Sequence, residues 1–133
     1  MSTAKTLIFS FLGIVFWFIA AMIIHYVGAR AFSAGNPYLP LVFVLAIPLT
    51  LLSMYLTTLI GGVHFRQLVE PVVIMTFTAA MLDGVALAWF RSLYSVSFDV
   101  ALHGAAWILW GAGLGLLFAY LLHRPRTPEI PGL

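Results

Sequence analysis

Not one of the 133 residues is a cysteine. Disulfides, thiol catalysis and thiolate metal sites are therefore excluded, while the redox compartment stays open. Charge is nearly as scarce: six Lys and Arg and four Asp and Glu make up only 8% of the chain. Soluble domains carry about 25% charged residues, and this chain falls far short of that. The basic residues form no stripe, so there is no electrostatic footprint for nucleic acid, and no nucleic-acid partner is expected. Catalytic signatures are missing too. There is no GxSxG, no glycine-rich phosphate loop, no HExxH and no pair of neighbouring carboxylates. Neither an enzyme nor a cofactor is expected on these grounds.

What the chain has is apolar length. It is 63% hydrophobic, with a mean hydropathy of +1.10. A bilayer core needs about 20 apolar residues per spanning helix. Four such runs are present, Thr6–Gly28, Leu39–Ile60, Pro71–Phe90 and Val100–Leu122. The reading is an all-α membrane protein whose four transmembrane helices form an antiparallel up-down bundle. Residues 1–122 make one transmembrane domain whose partner is the lipid bilayer. The first run is too long for a signal-peptide core of about 7–15 residues and reads as an uncleaved anchor. The end of the chain, 123–133, holds three prolines in its last nine residues and reads as a short flexible cytoplasmic tail.

Local signals place the boundaries. Gly28 ends the first helix, Asn36-Pro37 marks a turn and Pro40 suits the first turn of the second helix. Gly61-Gly62 closes that helix, and Glu70-Pro71 opens the third. Lys5, Arg66, Arg124 and Arg126 fall on one side of the bundle, Arg30 and Arg91 on the other. Basic residues favour the cytoplasmic side, so both termini are expected there. The connections are short, which predicts consecutive helices as antiparallel neighbours.

In a membrane the inward face carries small and weakly polar residues. On the fourth helix Gly104, Gly111, Gly115 and Ala119 share one face, and close packing is expected there, within the chain or against a second copy. The second helix presents Thr50, Ser53, Thr57 and Gly61. Pro48 inside it deprives the Val44 carbonyl of its usual partner and predicts a kink. The hydroxyls are expected mostly to bond their own backbone. Ser10, Trp17, Ala21, His25 and Gly28 line the first helix, and Thr76, Ala79, Ala80, Asp83 and Ala86 the third.

Asp83 is the one acid well inside a run. A carboxylate at a helix centre costs about 2.5–3.5 kcal/mol on insertion scales, so an inward orientation and a hydrogen-bond donor are expected. His25, His103 and Arg91 lie toward the same end, and a histidine is the first choice of partner, followed by Trp107 and the hydroxyls of the second helix. Trp89, Phe90, Tyr94 and Tyr26 read as an interfacial aromatic belt. Asp83, His25, His103 and Arg91 are thus the candidates for a proton or ligand site. Two histidines with a carboxylate could also hold a metal, but no HxxxH or HxH spacing supports it.

The block MLDGVALAWFRSLY, followed by GAAWILWGAGLGLLFAYLL, resembles the C-terminal half of a family of small four-helix bacterial membrane proteins catalogued as domain of unknown function five-three-six-seven. The likeness rests on Leu82-Asp83, the aromatic exit from Phe90 to Tyr94, and the Trp- and Gly-rich last helix. It implies four helices and a bacterial inner membrane, and it implies no activity. Three functions remain in view. The first is an accessory or structural protein acting through helix contacts, in a homo-oligomer or a larger membrane complex. The second is a proton-linked transporter or channel component using Asp83. The third is a metal-binding protein or enzyme using His25, Asp83 and His103.

Overall fold

A computed structural model describes residues 1–124. It contains four long helices, α1 (Thr3–Val27), α2 (Leu39–Gly61), α3 (Val69–Trp89) and α4 (Phe98–Leu122). Single 3-10 turns occupy Gly28–Arg30, Phe65–Gln67 and Arg91–Leu93 in the connections. All four helices are long and apolar enough to cross a membrane, so the chain is an all-α, multi-pass membrane protein. Residues 125–133, most of the predicted tail together with Arg126 and Glu129, lie outside the described residues.

Local chemistry sets the helix ends. The Ser2 and Ser97 hydroxyls accept from the Lys5 and Val100 N–H groups and cap α1 and α4. Gly28 and Gly62 leave α1 and α2 at φ +53° and +63°, a backbone region that side chains disfavour. Pro40 sits in the first turn of α2. α3 begins at Val69, two residues before Pro71, because the 3-10 turn runs directly into it. Pro71 still falls in the first turn, where a missing N–H costs nothing.

The helices run up and down, but their arrangement differs from a simple ring of chain neighbours. The most extensive contacts join α1 to α3, then α2 to α4 and α3 to α4. Gly13 of α1 lies against Met75 and Thr78, so α1 and α3 pair in parallel. Trp107 and Trp110 of α4 reach Val42 and Phe43, so α2 and α4 also pair in parallel. Gly104 against Ile24 sets α4 antiparallel to α1. α2 and α3 are consecutive but approach less closely, which corrects the expectation that all successive helices are neighbours. The 3-10 turn in their connection packs against α4.

Two apolar clusters fill the interior. One, around Ile24, Phe32, Tyr94 and Trp107, lies toward the end where α1 finishes. The other, around Phe9, Met54, Leu68 and Met75, lies toward the opposite end. Outward faces carry large apolar side chains on every helix, among them Phe11, Leu52, Met81 and Leu109. Hydrocarbon accepts such a surface and water does not.

The face expected to pack on α4 is only partly used. Gly104 is buried, and a Cβ there would stand 2.6 Å from Ile24 Cγ2. Ala119 is buried as well. At Gly115 an added Cβ would meet Thr50 and Val72 at 3.8 Å, an ordinary contact. Gly111 has nothing within 4 Å of such a Cβ, so it forms no close helix contact among the described residues.

Candidate functional site

Asp83 lies six residues before the end of α3 and is 8% exposed. Phe90 ends the helix, and the turn Arg91–Leu93 closes with Leu93 N–H on Phe90 O at 2.9 Å and Tyr94 N–H on Arg91 O at 2.9 Å. That turn folds the chain back so that Tyr94 re-enters the bundle with 0% exposure. Its phenol donates to Asp83 Oδ1 at 2.5 Å. Trp17, from α1, donates its indole N–H to the Tyr94 oxygen at 3.0 Å. Burial, and then the bond to Asp83, hold the Tyr94 phenol above its ordinary range, so it stays protonated and donates. The result is a three-residue tie across α1, α3 and the α3–α4 connection.

Asp83 therefore points inward and has a donor, but the donor is not a histidine. His25 is exposed and stacks edge-on against Tyr26 with ring centroids 5.1 Å apart. The α1 residues turned inward are Ala21 and Ile24, and His25 falls off that stripe. His103 turns to its own helix: Nδ1 lies 2.8 Å from Asp99 O and 3.2 Å from Asp99 Oδ1. Arg91 is exposed, with its guanidinium 5.4 Å from the centroid of the Phe98 ring. No group of three or more His, Asp or Glu residues suited to a metal ion occurs among the described residues, so His25, Asp83 and His103 are not brought together.

The expected aromatic belt loses one member to the interior: Tyr94 is among the largest fully buried side chains. Sequence reasoning misses it because aromatic residues after a helix end commonly mark the interface. A usable signal is nevertheless present, since a carboxyl two turns from a helix end needs a donor and the returning chain offers a phenol 11 residues later.

A second polar arrangement joins α2 and α4. Trp107 Nε1 donates to Val42 O at 2.9 Å, and Trp110 Nε1 to Phe43 O at 2.8 Å. Both acceptors lie in the first turns of α2, ahead of Pro48. Trp107 also packs edge-on against Phe32, with centroids 5.5 Å apart, and plays no part in the Asp83 contact. The α2 hydroxyls bond their own helix, Thr50 to Ala46 O at 2.6 Å and Thr57 to Ser53 O at 2.7 Å. Thr57 also reaches Met75 Sδ of α3 at 3.6 Å, and Asp83 takes its hydrogen bond from Tyr94 instead.

Between the C-terminal ends of α1 and α3 lies a groove of about 720 Å³, lined by Trp17, Met22, His25, Leu82, Ala86 and Phe90 among others. Its walls are mostly apolar, with His25 and Ser92 among them, and Asp83 is not part of them. Compared with known protein families, curated proteins and solved structures, the chain gives no match. The chemistry of the Trp17–Tyr94–Asp83 tie and its surroundings thus carries the functional reading.

Proposed function

We propose that this chain is a structural or accessory membrane protein that works through helix–helix contacts, in copies of itself or within a larger membrane complex. One observation carries the reading. The single acid well inside the spanning helices is committed to Tyr94 and, through it, to Trp17 of the same chain. A carboxyl used in transport must be reached by its substrate or by protons along a polar path, whereas this one closes the bundle. The groove beside it is mostly apolar and offers Trp17, not the carboxyl. A proton-linked role for Asp83 is the competing proposal, and it requires this tie to open.

A bacterial inner-membrane location is supported by the family resemblance. The excess of basic residues at the end holding Lys5, Arg66 and Arg124 supports cytoplasmic termini. Asp83→Asn retains shape and hydrogen bonding but cannot titrate. Under the structural reading it should fold and assemble as the wild type does, while Asp83→Leu should not. Purification and size-exclusion chromatography in detergent decide between them: equal behaviour of the two variants would defeat the structural reading.

A further inference from the structure

We propose that the end of the bundle formed by the α2–α3 connection and the close of α4 binds the phosphate headgroup of an anionic phospholipid. The fold brings the backbones of two arginines together there. Arg124 N–H donates to Arg66 O at 3.2 Å, and Gln67 Nε2 donates to Arg124 O at 2.6 Å. These ties run through backbone atoms and the Gln67 amide, which leaves both guanidiniums on the surface. The Arg124 fork spends one donor on His123 O at 3.2 Å and keeps the rest.

His64 stands in the same connection. Its Nδ1 accepts from Arg66 N–H at 3.1 Å, so Nε2 carries the proton and is a donor. Lys5 belongs to the same end, one turn before Phe9, whose ring lies against Gly61.

Two positive side chains borne by adjacent backbone segments raise the local potential and attract an anion. Among the described residues the only ion-pair contact within 4.0 Å is His103 with Asp99, at the other end. Among the described residues the acid at this end is Glu70. It occupies the first turn of α3, where the helix dipole favours it, and makes no such contact with either arginine. Guanidinium forks match phosphate oxygens in bidentate fashion. Both arginines sit just past the ends of spanning helices, at the level where phospholipid headgroups lie. The same chemistry would accept free phosphate, but position favours the lipid.

The test is a lipid titration of the purified, detergent-solubilised protein, read by native mass spectrometry. Phosphatidylglycerol should be retained in preference to phosphatidylcholine. The preference should weaken about fivefold for each arginine removed in Arg66→Gln and Arg124→Gln, and it should fall as salt is raised. Arg30→Gln with Arg91→Gln, at the opposite end, should leave it intact. Equal retention of the two lipids by the wild type, or a preference that survives in the Arg66/Arg124 double variant, would overturn the proposal. Displacement of phosphatidylglycerol by millimolar inorganic phosphate would assign the site to the free anion and also overturn it. Should the double variant not purify, a salt-independent preference in the wild type would overturn it equally.

Discussion

Replacing Gly13 by alanine would test the close approach of α1 and α3. A Cβ there would stand 2.9 Å from the Met75 carbonyl oxygen, 3.1 Å from Met75 Cα and 3.1 Å from Thr78 Cβ. Two of these atoms are backbone, which cannot rotate aside as the end of a side chain can. Restoring contact at about 3.5 Å means parting the helices by about half an ångström. Phe9, Leu12, Val72 and Met75, packed in the same cluster, all feel that shift. Overpacking of this kind costs about 1–3 kcal/mol, and the better helix propensity of alanine returns up to ~1 kcal/mol. The expected net loss is about 1 kcal/mol. Gly84→Ala provides the control, because a Cβ at Gly84 meets nothing within 4 Å. It keeps the propensity gain without the clash, so the two variants should differ by about 2 kcal/mol. Unfolding in bicelles by added sodium dodecyl sulfate, followed by tryptophan fluorescence, measures both. A Gly13→Ala protein as stable as Gly84→Ala would refute the reasoning.

Tyr94→Phe removes the donor to Asp83 and the acceptor of Trp17 together; it should cost about 2–3 kcal/mol in the same assay, and Trp17→Phe, which strands no carboxyl, about 1 kcal/mol. The Tyr94 phenol is held above its ordinary value of 10.0, so it favours the folded state fully below that value and loses the benefit as pH climbs beyond it. Tyrosinate absorbance of the wild type minus that of Tyr94→Phe should therefore stay flat through pH 10 and rise only at higher pH or on unfolding; a rise near 10 would show an exposed phenol. Gly104→Ala should destabilise the bundle by about 1–2 kcal/mol, since Ile24 is fully buried and cannot withdraw. Gly111→Ala should be neutral or slightly stabilising in the monomer, and lost self-association in chromatography would reveal a contact with a second copy.

The helices themselves are legible in the sequence because hydrophobic length, terminal glycines and early prolines are local signals that hydrocarbon reinforces. Inward orientation of Asp83 is legible for the same reason: its neighbours one turn away are small. Its partner is not. Which donor reaches a carboxyl depends on how a connection turns, and the single 3-10 turn at Arg91–Leu93 carries Tyr94 inward by geometry that composition does not encode. Gly13 escapes a search for small residues because glycines repeat on α4 and draw the eye there. A lone glycine between Leu12 and Ile14 gives no periodic signal, yet it sits where two backbones meet. The order of helices around the bundle is likewise invisible, since short connections fix direction but not which corner the next helix takes.

The polar contacts gain meaning once that order is known. Helices α1 and α3 run in parallel, so no short connection joins them, and the same holds for α2 and α4. In lipid there is little hydrophobic drive to hold such pairs, and association rests on close packing and hydrogen bonds across helices. Each pair has its own device. Gly13 lets α1 approach α3, and the Trp17–Tyr94–Asp83 tie spans that pair toward its C-terminal end. The indoles of Trp107 and Trp110 pin α4 to the first turns of α2. Gly104 against Ile24 then joins one pair to the other. An acid inside an apolar run is costly as a single residue, but here it supplies a strong, directional contact to a pair of helices that chain connectivity leaves unlinked.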